Sequence, residues 1–277
     1  MSDRTLPIWV KIVLVVSALM QIVFGLRLLA DPASIASMWP WPMTAITARL
    51  LGASTLVSVP LALLSVWFNR YSAARLPMIM IICYRVLQLA AGLMHFERFD
   101  LADPTTWNYF GGGLIMLIVL GLGVVRGPSL GAPVATSHPF LRGDADLKMG
   151  ATGKTVFRFI SVLFILLGVT FFALGKNGEW LWFEAPGNLT SLTARLFASP
   201  MVGLGVAAWI ISSSRKWREV GVPAVGMATF GVSGILALML DFGGVQPFTP
   251  FGYIAVIAPV ILLAMGFYLL MPARSAS

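Results

Sequence analysis

Stretches of about 20 predominantly apolar residues alternate along the chain with short polar punctuation, and that length is what an α-helix needs to cross the hydrocarbon of a bilayer. Laid along the sequence, this ruler gives eight spans, at roughly 8–30, 44–68, 77–96, 108–126, 156–175, 190–213, 221–241 and 250–271. The expected fold class is an all-α integral membrane protein with eight transmembrane helices. Hydrophobic residues occupy 58% of the 277 positions and charged residues 11%, against roughly 45–50% and about 25% in soluble domains. A soluble globular fold is thereby excluded. The first run is long enough to span and lacks a small-x-small cleavage site, so it reads as a helix and not as a secretory leader.

Orientation follows from lysine and arginine in the short loops. Thirteen of them (Arg4, Lys11, Arg70, Arg75, Arg126, Arg142, Lys148, Lys154, Arg158, Arg215, Lys216, Arg218 and Arg274) fall on one side of the eight spans. The opposite loops carry mainly acids, with only Arg27, Arg98 and Lys176 near them. The basic side is expected to be cytoplasmic, with both termini inside a cell membrane. The formal charge of +8 then marks topology, not nucleic-acid binding, because the basic residues are interleaved with apolar runs. Tryptophans and tyrosines near the span ends, among them Trp9, Trp67, Trp107, Tyr109 and Trp209, read as an interfacial aromatic belt.

One segment recurs. Thr44-Ala-Ile-Thr-Ala-Arg-Leu50 returns 146 positions later as Thr190-Ser-Leu-Thr-Ala-Arg-Leu196, with five of seven residues identical. Weaker matches keep the same order: Ile22-Val-Phe-Gly25 with Ile165-Leu-Leu-Gly168, Pro40 with Pro186, and Pro104-Thr-Thr106 with Pro247-Phe-Thr249. These predict two four-helix repeats, 1–126 and 155–277, joined by a polar cytoplasmic linker at 127–154. An even number of spans per repeat makes them parallel, related by an axis along the membrane normal. Within the linker, Gly153-Lys154-Thr155 imitates the end of a phosphate-binding loop, but Lys148 stands where the motif needs glycine and no strand precedes it.

Each copy of the recurrent segment places an arginine, Arg49 or Arg195, about five residues inside its span, roughly 7–8 Å below the helix start. A cation there is costly and therefore informative. Small residues follow on the same face, Gly52 and Ala53 in one copy and Ala198 and Ser199 in the other, which turns the arginines toward the bundle interior. Three readings stay open: ion pairs with an outer acid among Asp31, Glu97, Glu184 and Asp241; a shared site for an anion at the repeat interface; and contacts with lipid headgroups. Thr44 and Thr190 are expected to cap the helix amides. Arg85 lies near mid-depth in the third span without a cationic counterpart, and Tyr84, Gln88, Gly92 and His95 extend a polar strip around it. Such a strip lines a cavity or an interface.

Catalytic chemistry finds little to use. Cys83 is the only cysteine, so no internal disulfide forms. His95 and His138 are the only histidines and lie on opposite sides, which argues against bis-histidine haem. His95 and Glu97 are expected on different helix faces, so no metal site and no cofactor is predicted. Acids are confined to loops and helix ends, which disfavours a proton-coupled carrier.

The segment Trp39-Pro-Trp-Pro-Met-Thr-Ala-Ile-Thr-Ala-Arg-Leu-Leu-Gly52 resembles a motif of the form W-P-W-x-L-T-x-L-T-A-R in prokaryotic integral membrane proteins of unassigned activity. The likeness covers little more than a dozen residues, departs at Pro42-Met43 and is without its W-P-W in the second copy. It implies a prokaryotic cell membrane and no activity. The expected function is non-enzymatic: binding of a lipid-like or small anionic ligand through Arg49, Arg195, Arg85, Tyr84, Gln88 and His95, or service as an accessory subunit among other membrane proteins. The alternative is an uncoupled transporter of a small anion or amphiphile.

Overall fold

A computed structural model of the protein describes residues 3–36, 41, 43–133, 147, 149–181, 190–245 and 249–271. Among these residues the structure is helical, and eight helices are long and apolar enough to cross a membrane. They are α1 (Ile8–Ala30), α2 (Ala45–Phe68), α3 (Tyr71–Met94), α4 (Pro104–Leu130), α5 (Ala151–Leu174), α6 (Ser191–Ser213), α7 (Trp217–Leu240) and α8 (Pro250–Leu270). This is the architecture of a multi-pass membrane protein. Consecutive helices alternate in direction, so residues 3–7, 69–70, 131–133, 147–150 and 214–216 share one side. The remaining loops form the far side.

The helix boundaries follow local chemistry. Thr44 and Thr190 cap α2 and α6, each side chain accepting from the amide three residues on. Thr249 caps α8 in the same manner and Asp103 caps α4 by accepting from the Thr105 amide two residues on, and Pro104 and Pro250 occupy the first helical turn, where the missing N–H is no loss. Pro250 lies 146 positions after Pro104, whereas Pro247 lies outside the described residues, as do Pro40, Pro186, Glu184 and His138.

Several expected spans were too short. Helices α3 and α7 begin at 71 and 217, so Pro77 and Pro223 sit inside them. The reason is that Arg75 and Arg218 can extend from a first turn to the interface, and neighbouring helices absorb an internal proline in a bundle. Helix α4 continues to Leu130, and Gly153-Lys154-Thr155 lies in the first turns of α5, so both ends of the expected linker are helical. Between α2 and α3 the chain turns through Asn69, whose left-handed backbone (φ 50°) suits asparagine. Its Oδ1 accepts from the Leu6 amide at 3.1 Å. Asp3 adds a hydrogen bond from Ser72 Oγ and an ion pair with Arg70 at 4.0 Å, which fixes the N-terminal segment to this turn.

Helices α1 and α2 pack together, as do α5 with α6, α3 with α4, and α7 with α8. The two groups of four meet through α2 against α7, α3 against α6, and α3 against α7. Lipid tails are as apolar as leucine, so helix association here depends on close packing of small residues. The α1–α2 crossing shows this: a side chain at Gly52 would lie 2.8 Å from the Gly25 carbonyl oxygen, and one at Gly25 would meet Leu56. At the α5–α6 crossing, Gly168 comes equally close to the Ala198 carbonyl oxygen, at 2.9 Å. Within α2 the helix breaks at Val57, and within α4 the turn Asn108–Gly112 widens to a π-helix. Such turns often mark functional places.

Candidate functional site

The two arginines of the recurrent segment do not share a cavity. Arg195 Nε donates to the Phe172 carbonyl at 3.1 Å, and its Nη1 donates to His95 Nε2. Phe172 is in the last turn of α5, where carbonyls have no partner within the helix, and His95 is the C-cap of α3. Arg49 does the corresponding thing more loosely. Its Nη1 approaches the Leu29 carbonyl of the last turn of α1 at 3.5 Å, and its Nε lies 4.0 Å from Oδ2 of Asp241, the C-cap of α7. At those distances Nε makes no hydrogen bond among the described residues. Each arginine therefore fastens the far end of the helix before it to the end of a helix from the other group of four.

Because arginine only donates, His95 accepts through a bare Nε2 and carries its proton on Nδ1, which faces Glu97 Oε1 at 3.7 Å. Burial, then the Arg195 cation, holds the His95 imidazole below its ordinary range, against the opposing pull of Glu97. His95 and Glu97 thus meet, contrary to the helical-face argument. The helix ends at Met94, and a 3₁₀ turn at Phe96–Arg98 brings the two around. No cluster of three metal-ligating side chains occurs among the described residues.

Tyr84, Arg85 and Gln88 line a cavity of about 330 Å³ bounded by α1, α2, α3 and α4. Arg85 Nη1 donates to Gln88 Oε1 at 2.7 Å, and its guanidinium carbon lies 5.6 Å from the centre of the Tyr84 ring. Tyr84 in turn faces the hydroxyls of Thr55 and Ser54. Arg85 Nε has no hydrogen-bond partner, and no carboxylate pairs with the cation, among the described residues. A guanidinium in such a place is costly, and the neutral groups around it leave that charge uncompensated.

The widened turn of α4 supplies the opposite wall. It turns Asn108 and Tyr109 to the cavity, and Tyr109 donates to the Gln88 carbonyl at 2.6 Å. Helix α1 contributes Ser17 and the buried amide of Gln21. Toward the far side the cavity is closed by aromatic rings: Phe99 packs on Trp41, Tyr109 and Phe110 at centroid distances of 5.9, 5.1 and 4.9 Å. Sequence reasoning reached the α3 strip but not Gln21, Asn108 or Tyr109. An isolated glutamine in an otherwise apolar run was the available signal for the first; the π-turn that aims the other two has no sequence signature.

The structure thus divides the six candidate residues into a cavity group (Tyr84, Arg85, Gln88), a contact pair (His95, Arg195) and Arg49 with Asp241. Compared with protein-family models, with curated proteins and with solved structures, the chain finds no match.

Proposed function

We propose that this is a non-enzymatic protein of a prokaryotic cell membrane that binds an anionic ligand in the cavity beneath Tyr84, Arg85 and Gln88. The observation that carries this reading is the Arg85 guanidinium, which lines a cavity with an unsatisfied Nε and no carboxylate partner among the described residues. A bound carboxylate or phosphate supplies the missing acceptors and the missing charge, and guanidinium suits both through its planar fork. Gln88 and Tyr84 hold the guanidinium in place.

The same proposal includes two parallel four-helix repeats about an axis along the membrane normal, with both termini and the linker cytoplasmic. Support for the repeats comes from matching features 146 positions apart: caps Thr44 and Thr190, internal prolines Pro77 and Pro223, 3₁₀ turns at Phe96–Arg98 and Phe242–Gly244, and C-caps His95 and Asp241. Support for the orientation comes from the basic loops. A reporter fused between α4 and α5 that was found outside the cell would overturn it.

Binding is tested by equilibrium dialysis of a short soluble anion, hexanoate, against the protein in nanodiscs of phosphatidylcholine. Saturable binding in the wild type, lost in Arg85→Gln and retained in Arg49→Lys, is the expected result; equal uptake by wild type and Arg85→Gln removes the reading. A second reading, uncoupled transport, draws on the π-turn at Asn108–Gly112, which borders the cavity. Selective hexanoate flux into proteoliposomes, above that of empty vesicles, would replace the binder with a carrier.

A further inference from the structure

Resting on that reading, we infer that the ligand is a single-chain anionic amphiphile, taken sideways from the bilayer through the gap between α1 and α4, with its head at Arg85 and its tail directed toward the linker side. Three observations carry this. The first is the distribution of polarity in the cavity. Its polar groups, Gln21, Tyr84, Arg85, Gln88 and Asn108 among them, lie from mid-depth to the far end, interleaved there with Phe24, Leu28 and Leu51, and on the linker side of them the walls are Ile12, Val13, Val16, Ile115 and Met116 around Ser17. The second lies above: the rings of Trp41 and Phe99 are buried and meet edge to face at the far end, which places apolar surface there.

The third observation is the opening. Helices α1 and α4 touch far less than any other pair within their group of four that packs together, and the residues on either side of the gap are exposed and apolar, Ile12 at 56%, Val16 at 55% and Ile115 at 59%. A free inorganic anion would have to cross hydrocarbon to use such an opening, whereas an amphiphile already lies in it. The dimensions agree. From Gln21 down to Ile12 is roughly 13–14 Å along α1, close to the roughly 15 Å depth of one leaflet's hydrocarbon. One acyl chain of ordinary membrane length fits that run; a two-chain lipid would have to leave one tail outside.

The test uses two palmitate probes in phosphatidylcholine nanodiscs, one with a diazirine on the terminal carbon and one with a diazirine next to the carboxylate. After irradiation and peptide mapping, the terminal probe is expected on the Ile12–Val16 and Ile115–Met116 segments and the carboxyl-proximal probe near Arg85 and Asn108. Labelling should fall about tenfold in Arg85→Gln, the effect of losing one charged hydrogen bond. Ile115→Trp, on an exposed face where folding is not at risk, should fill the gap and remove terminal labelling. Scattered labelling of all lipid-facing helices, unchanged in both variants and by excess unlabelled palmitate, overturns the inference. If hexanoate still binds in an Arg85-dependent way, the anion site stands and only the amphiphile fails; if hexanoate does not bind either, both fail.

Discussion

The third helix of each group of four carries an internal proline and the fourth begins with a capped proline, yet the two groups solve opposite problems. In α3 and α4, Arg85, Gln88, Asn108 and Tyr109 border open space. The residues 146 positions on are Gly231, Gly234, Ile254 and Ala255; α7 and α8 pack closely at the two glycines, and Ile254 and Ala255 border a small apolar cavity of about 60 Å³. A side chain at Gly231 would run into Leu263 and lie 2.7 Å from the Pro259 carbonyl oxygen, and one at Gly234 would lie 2.8 Å from the Pro259 ring. One half has exchanged helix contact for a charged cavity, and the other has kept the contact. Side-chain size at two positions of the third helix decides which: glycine lets the fourth helix close, and arginine with glutamine holds it away.

The strongest challenge to this contrast is to give the second half the residue of the first. Gly231→Leu should destabilise by about 3 kcal/mol or more, at the upper end of what overpacking a close contact costs, and Gly234→Gln by somewhat less. Thermal unfolding in detergent reads both, and an unchanged midpoint for Gly231→Leu would show that the α7–α8 contact is not the rigid one. The reverse change should act with the opposite sign. Arg85→Met removes an uncompensated cation from the hydrocarbon, where arginine costs about 2.5–3.5 kcal/mol, so the midpoint should rise by an amount corresponding to about 1–2 kcal/mol while hexanoate binding is lost. Gain of stability with loss of binding is the pattern of a functional residue. A loss of stability would instead make Arg85 part of the packing.

A smaller effect separates the arginines. Arg195 divides its fork between Phe172 and His95, which lysine cannot do, so Arg195→Lys should cost about 1–2 kcal/mol. Arg49, with its contacts at 3.5 and 4.0 Å, should lose under about 1 kcal/mol on the same change. Equal shifts would mean that the two contacts are equivalent in solution. The smallest effect is a pH dependence. The folded His95 titrates below its ordinary 6.5, so as the pH falls through about 6.5 the unfolded chain takes up the proton first and stability declines until the folded imidazole protonates in turn. Above that window the His95 contribution is flat. His95→Asp, which copies Asp241, should abolish the decline, and a decline that persists in this variant assigns it to another group.

How much of this could be read from residues alone depended on how far each feature reaches. The spans, the threonine caps and the turning of Arg49 and Arg195 into the bundle are local, and the apolar runs, the T-x-x-T-A-R spacing and the following small residues displayed them. The start of α3 was missed because Pro77 looks like a boundary, although a bundle tolerates it, and that of α7 because Arg218 and Glu219 interrupt the apolar run. The partner of Arg195 was missed for a different reason: the acid expected beside it is a histidine, brought there by a helix end 100 residues away. Likewise the strip on α3 announced a polar interface, but only the π-turn of α4 and the weak contact of α1 with α4 turn it into a cavity.

The arginine contacts cross between the two groups of four. Arg49 reaches a helix end in the second group of four, and Arg195 reaches one in the first. A chain of only four such helices could not make either contact with itself, because its arginine would need the C-cap of another copy. On the proposed repeat reading, each arginine makes the contact that would lie at the isologous interface of two copies of one repeat. Within that frame the two halves differ at their third helices, where one holds Arg85 and Gln88 beside a cavity and the other holds Gly231 and Gly234 against the next helix.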